Sequence, residues 1–241
     1  MEDVSFGDSL KVINDSAFAG CSRLRHVEIP YDVTLKDKVF LECDSLESVE
    51  IGNGIIPSNF LFCKCTSLTT LTISSEAKGI GNGAFQYCSS LQNLELPEKL
   101  EAIGNGAFQY CTSLQNLVFP ETLIQIGASA FYGCKSITAF DFSTLTQQFV
   151  FDDRVAGGKL EKTFVIGEGA FMYCSNFETV TLLPTIKTSI AQSAFSYCSD
   201  SFGIVFKGKK QQVGIIEIVK GGYLITGKLT IHCTDGDVIV N

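Results

Sequence analysis

Histidine is nearly missing from this 241-residue chain: only His26 and His232 occur. Any catalytic device built on an imidazole therefore has a single ring to draw on at either end of the sequence. Positive charge is also scarce. Eighteen Lys and Arg stand against 26 Asp and Glu, a net charge of −8. Such a chain is not attracted to phosphate backbones, which argues against nucleic acid as a partner. No apolar run approaches the roughly 20 residues of a membrane-spanning helix. Nor does an apolar leader open the chain, where Met1-Glu-Asp-Val is acidic. A strand–glycine-rich loop–helix phosphate motif is lacking too. Gly81-Asn-Gly83, Gly104-Asn-Gly106 and Gly167-Glu-Gly169 look like fragments of one, but they recur with a fixed spacing ahead of Ala-Phe and read as turns.

What the chain has is repetition. Ile80 to Leu94 and Ile103 to Leu117 are identical except that Ser89 is replaced by Thr112. With a cysteine as anchor, the unit recurs at Cys21, Cys43, Cys65, Cys88, Cys111, Cys134, Cys174 and Cys198. Three residues before every anchor stands a phenylalanine: Phe18, Phe40, Phe62, Phe85, Phe108, Phe131, Phe171 and Phe195. Apolar residues follow three, six and eight positions after it, as in Leu24, Val27 and Ile29. The Val-x-Ile ending has period two and predicts a strand with one buried face. Ala-Phe-x-x-Cys predicts a single helical or 3₁₀ turn with its packing residues on one side, and the Gly of Ile-Gly predicts a bend with positive φ. A unit of about 23 residues cannot bury its own apolar face, so neighbours must stack.

The motif Ala-Phe-x-x-Cys-x-x-Leu-x-x-Val-x-Ile-Pro followed by Ile-Gly resembles the BspA-like leucine-rich repeat proteins over residues 4 to about 206. Phe206-Lys-Gly and Ile231-His-Cys-Thr-Asp-Gly-Asp-Val238 resemble the family's C-terminal end. The family often carries Trp after a Gln there; here Val213 follows Gln212 and the chain has no Trp. The expected fold is an α/β-type, β-rich repeat solenoid. It is a curved, right-handed leucine-rich-repeat solenoid with a parallel sheet on the concave side, short turns or 3₁₀ segments opposite, and a C-terminal β cap. Its expected organisation is a solenoid of one partial and eight recognisable units over 1–206, and a cap over 207–241. Val4-Ser-Phe6 aligns with Val27-Glu-Ile29, so the chain begins inside a unit and a natural N-terminus is expected upstream. Between Cys134 and Cys174 the spacing stretches to 40 residues. The extra material, about 143–162, reads equally as a loop, a hairpin or a decayed unit.

Ten cysteines would suggest disulfides in a secreted protein. Eight of them share one place in the unit, however, and stacked units hold equivalent side chains parallel, which disfavours the disulfide torsion. A file of buried thiols acting as small apolar groups is expected instead. Cys63 with Cys65 forms a C-x-C without the second pair a zinc site needs. Asp235-Gly-Asp237 reads as a turn. Strands stacked about 4.8 Å apart put the two histidines on the order of 40 Å from each other. No cofactor, metal or catalytic constellation is expected, and the chain is read as non-enzymatic.

The informative place is the outer side of the strand file. Residues seven after each anchor include Glu28, Glu50, Thr72, Glu95 and Asp141; residues five after include His26, Ser48, Asn93 and Asn116. The expected binding residues are Glu28, Glu50, Thr72, Asn93, Glu95, Asn116 and Asp141, meeting a protein partner. Adjacent acids at Glu28 and Glu50 favour a cationic one. A solvated face without a partner is weighed equally. Tyr87, Tyr110, Tyr173 and Tyr197, with Tyr132, form a second line on the turn side, read first as a cover over the phenylalanines. The family resemblance implies adhesion or protein binding at a microbial cell surface or after secretion, with a host extracellular protein as partner. An intracellular scaffold of the same architecture is the alternative, favoured by the many thiols.

Overall fold

The computed structural model describes residues 2–7, 9–52, 58–115, 117–145, 163–219 and 229–240, together with the backbone of 149–151 and 159–161. Each unit contributes one segment to a front layer and one to a back layer. In front, Asp3–Val4, His26–Ile29, Ser48–Ile51 and Thr70–Ile73 form a four-stranded parallel sheet. Further along, Ala139–Asp141, Thr179–Leu182, Gly203–Phe206 and Leu229–Cys233 form a second parallel run, closed by the antiparallel strand Gly236–Val240. Behind, six parallel strands run from Gly79–Ile80 through Ala102–Ile103, Gln125–Ile126, Phe164–Ile166 and Thr188–Ile190 to Ile216–Ile218. The register sets equivalent positions side by side: Asp3 pairs with His26, His26 with Ser48, and Ser48 with Thr70. The period-two pattern behaves as expected. Val27 and Ile29 are buried while His26 and Glu28 are exposed.

The segment between the layers is neither a helical nor a 3₁₀ turn, which corrects that expectation. The residues five and one before the cysteine take positive φ in all eight units, from Ser16 and Gly20 to Ser193 and Tyr197. Interposed with residues of ordinary φ, they aim three backbone N–H groups per unit at the next unit. In one unit Gly83 donates to Asn105 O (2.8 Å), Phe85 to Ala107 O (2.8 Å) and Tyr87 to Gln109 O (2.8 Å). A helix would turn these donors back into its own coil. The only 3₁₀ segment among the described residues is Lys210–Ile215 near the C-terminal end.

That spacing builds the core. Phe18, Phe40, Phe62, Phe85, Phe108, Phe131, Phe171 and Phe195 stack in one column with ring centroids 5.2–5.6 Å apart. All but Phe18 are fully buried. The glycine of Ile-Gly is needed for a different reason than the one expected. Gly104, Gly127 and Gly167 are not among the positive-φ residues. A Cβ on Gly104 would stand 2.8 Å from the backbone of the preceding unit, and one on Gly167 only 2.6 Å away. The chain passes too close for any side chain. In the insertion, Phe149–Phe151 and Lys159–Glu161 pair antiparallel, so its described part is a hairpin; residues 146–148, 152–158 and 162 lie outside the described residues.

All ten cysteines are free thiols. The eight in the file do more than fill space. From Cys43 onward, each S–H donates to the carbonyl of the phenylalanine in the preceding unit, for example Cys111 Sγ to Phe85 O at 3.1 Å and Cys174 Sγ to Phe131 O at 3.0 Å. That carbonyl already accepts the N–H of its own unit's cysteine. Burial pushes the Cys174 thiol up to about 12, and raises Cys88, Cys111 and Cys134 in the same way.

Two outcomes are expected. Phe108→Ala removes a ring from mid-column and should cost about 3–5 kcal/mol in a denaturant titration, against less than about 1.5 kcal/mol for a surface exchange such as Glu98→Ala. Alkylation of the native chain near pH 8 should spare Cys88, Cys111, Cys134 and Cys174, which are buried and protonated there, and should reach all ten cysteines only after unfolding.

Candidate binding surface

The front face is polar because its core-directed positions are taken by the apolar repeat. Glu28, Glu50 and Thr72 lie in register on neighbouring strands, with His26, Ser48 and Thr70 in the parallel row. His26 Nδ1 meets Ser48 Oγ at 2.8 Å. All of Glu28, Glu50, Thr72, Asn93, Glu95 and Asp141 are exposed. Two shallow depressions adjoin each other here. One, of about 470 Å³, is lined by Glu28, Tyr31, Glu50 and Thr72; the other, of about 340 Å³, by Thr70, Thr72, Asn93 and Glu95. Five of the expected binding residues therefore converge on one region. Asp141 belongs to the second front sheet, and Asn116 lies outside the described residues.

The second depression lies where the front sheet is interrupted. Within the first sheet the ladder is closed at its lower end by Gly52 N–H to Ile29 O and Ser74 N–H to Ile51 O, both 2.9 Å. The next residue of that series is Pro97, which has no N–H to give. Among the described residues no backbone hydrogen bond joins 69–73 to 92–96. The front sheet stops at Ile73 while the turn column runs on beneath it. The break leaves the Asn93 and Glu95 side chains beside those of Thr70 and Thr72 around an open notch. The charge here is of one sign. Neither row carries a Lys or Arg from His26 to Asp141, and the nearest guanidinium, Arg25, is engaged with Glu47 at 2.7 Å.

Two ladders run along the turns. The tyrosines do not simply cover the phenylalanines: Tyr87 and Tyr110 stack on each other, as do Tyr173 and Tyr197, with Tyr132 between the pairs. The second ladder was missed by the motif reading. Six residues before the anchor, Asp15 Oδ1 accepts the N–H of Asp37, Asp37 Oδ1 that of Asn59, Asn82 Oδ1 that of Asn105, and Asn105 Oδ1 that of Ala128, all at 2.8–2.9 Å. Asn82 also donates to Asn59 Oδ1 at 3.0 Å. The constant place of Asp or Asn in five consecutive units was the available signal.

The remaining chemistry-bearing groups do not converge. Cys63 Sγ turns to Gln86 Oε1 at 3.6 Å while Cys65 bonds Phe40 O, so the C-x-C is split. Asp235 Oδ1 accepts the Lys210 N–H at 2.8 Å and Asp237 pairs with His232 at 3.0 Å across a hairpin turn at Gly236. Among the described residues no three of His, Cys, Asp and Glu are grouped to hold a metal ion, and no helix is long and apolar enough to cross a membrane.

The sequence profile of the BspA type leucine rich repeat region matches six copies over residues 1–75, 33–153 and 160–214. The chain belongs to the BspA-type leucine-rich repeat family. No curated protein matches it in sequence. Among solved structures it is similar to the T. pallidum leucine-rich repeat protein TpLRR, with 21% identity, 83% of this chain and 78% of that one covered, and a TM-score of 0.52. It is also similar to a leucine-rich cell surface protein from Faecalibacterium prausnitzii A2-165, with 22% identity, 94% and 71% covered, and a TM-score of 0.54. At that identity the likeness is one of fold: a parallel β-solenoid of about eight turns. BspA-type solenoids present extended surfaces of the kind that bind proteins.

The ladder at Asp37 generates a pH prediction. The backbone N–H of Asn59, and then its side-chain amide, hold the Asp37 carboxyl below its ordinary value. A depressed folded pKa stabilises the fold above the unfolded value near 4 and loses that contribution as pH falls through the folded value. In an NMR titration the Asp37 midpoint should lie below the ordinary aspartate value, and Asn59→Ala should move it upward.

Proposed function

We propose that this chain is a non-enzymatic, protein-binding module of a microbial cell-surface or secreted protein, serving adhesion. It engages its partner through the front face of the stacked strands. The observation that carries this reading is the convergence of Glu28, Glu50, Thr72, Asn93 and Glu95 on two adjoining depressions, beside a break in the sheet. Asp141 extends the surface along the solenoid. The partner is a host extracellular protein presenting basic side chains, because the face has acids in register and no cation in either row. Exposed Tyr31 adds an aromatic contact at the rim. Interfaces favour such a ring because it covers much area with few torsions to freeze. The cell-surface description of the F. prausnitzii protein supports the location.

A second reading, an intracellular scaffold of the same build, is favoured by one observation: ten free thiols suit a reducing compartment. Surface biotinylation of intact cells separates the two.

The test of the face is Glu28→Lys, Glu50→Lys and Glu95→Lys together. Binding to a panel of purified host extracellular proteins should fall about tenfold or more, chiefly in association rate and most at low salt, with circular dichroism unchanged. Equal binding by the triple variant would remove this surface from consideration.

A further inference from the structure

The tyrosine ladder has a chemistry of its own that neither family nor front face accounts for. Its five rings fall into two face-stacked pairs and one turned ring. Tyr173 and Tyr197 have centroids 4.6 Å apart and planes 2° from parallel; for Tyr87 and Tyr110 the values are 4.9 Å and 16°. Tyr132 stands between them at 70° to Tyr110 and 57° to Tyr173. Tyr87 and Tyr173 are 40% exposed and Tyr197 45%, so the pairs are reached from solvent. All four paired tyrosines have positive φ, at a position that Gly20 and Gly133 hold in other units. A bulky residue is unusual in that conformation. The same backbone fixes each pair: Tyr87 N–H donates to Gln109 O at 2.8 Å and Tyr173 N–H to Ser196 O at 2.9 Å, one residue before the partner ring. The turn column thus holds the backbones of each pair in step.

We propose that Tyr173–Tyr197 and Tyr87–Tyr110 are sites of oxidative cross-linking, each pair joining to dityrosine under a one-electron oxidant of the heme peroxidase and peroxide class. Each phenol of a pair gives up one electron and one proton. The two phenoxyl radicals share their unpaired spin with the ring carbons next to the oxygen, in orbitals perpendicular to the ring. Face stacking points those orbitals at each other, and a carbon–carbon bond forms between the rings. The hydrogen on each newly bonded carbon then moves to its oxygen and restores the phenol. In sum two tyrosines lose two protons and two electrons, and one hydrogen peroxide takes them up as two waters. A ring turned by 57–70° offers its edge to its neighbours, so Tyr132 is excluded. Burial, with its contact to Tyr110, also pushes the Tyr132 phenol up to about 12. Of the thiols that could quench the radicals, Cys88, Cys111, Cys134 and Cys174 are buried with their S–H groups bonded to carbonyls, while Cys21, Cys198 and Cys233 are partly exposed. Each cross-link staples one unit to the next. Like a disulfide it shortens the loops open to the unfolded chain, so it stabilises the fold.

The test treats the full chain, dilute enough to stay monomeric, with a heme peroxidase and hydrogen peroxide. Dityrosine fluorescence should appear in the monomer band. Peptide mapping should show two intramolecular links, Tyr87 to Tyr110 and Tyr173 to Tyr197, each lighter by two hydrogens, and the thermal midpoint should rise. Tyr197→Phe should abolish the second link and Tyr110→Phe the first, both keeping their ring for the stack, whereas Tyr132→Phe should leave both. In urea the pair selectivity should vanish. The proposal is overturned if no dityrosine forms, if links fall mainly on Tyr31, which is 63% exposed and belongs to no stacked pair, or if Tyr132→Phe removes either link.

Discussion

Three N–H groups in each turn, pointing along the axis of the solenoid, set the step from one unit to the next. With that step held near 5 Å, every residue stands over its equivalent. Phenylalanine lies on phenylalanine, thiol on carbonyl, Asx on backbone N–H and tyrosine on tyrosine. The geometry requires two residues of positive φ per unit, and eleven of these are not glycine. Each such residue costs on the order of 1 kcal/mol, while a backbone hydrogen bond returns a net of about 0.5–1.5 kcal/mol. The turn column fixes the register, and it aligns an aromatic column whose rings bury apolar surface.

This division explains which parts of the fold were legible beforehand. Ala-Phe-x-x-Cys and Val-x-Ile were readable because a buried position admits few residue types, and Phe85, Cys88, Leu94 and their equivalents declare themselves by spacing. The positive-φ positions left a partial mark in Gly20, Gly83, Gly106, Gly133 and Gly169. The eleven others are of mixed type, as in Ser16, Lys38, Glu42, Phe60 and Tyr87, and the same stretch read as a helical turn. Gly104 and Gly127 were noticed for the wrong property: they answer to the closeness of the neighbouring chain, which no single unit reveals. The cysteine file had two readings with one spacing. A small apolar group and a weak donor occupy the same place, and only the distance to the phenylalanine carbonyl separates them.

The candidate surface was legible as two rows and illegible as a site. Alternation alone puts Glu28, Glu50 and Thr72 outward. It does not say that the ladder fails after Ile73, because a proline at the end of a strand reads as a turn signal in every unit that has one. At Pro30 the donor is missing too, yet Asp3–Val4 still pairs with His26–Val27; at Pro97 it is missing from a series that Gly52 and Ser74 supply in the units before. The break sets Asn93 and Glu95 beside the first sheet's face while leaving Asp141 in a different sheet.

A solenoid of this kind separates what folds it from what it displays. The core positions are filled by the repeat, so the outward rows are free of the packing that constrains them elsewhere. Their charges are then informative in a way core residues are not. Glu28 and Glu50 stand directly opposite each other in register, where like charges destabilise by a few tenths of a kcal/mol up to about 1 kcal/mol. Nothing in the stacking requires an acid at either place; Thr72 occupies the next position of the same row without consequence for the strand. A cation facing these acids would relieve the repulsion, and neither row supplies a Lys or Arg.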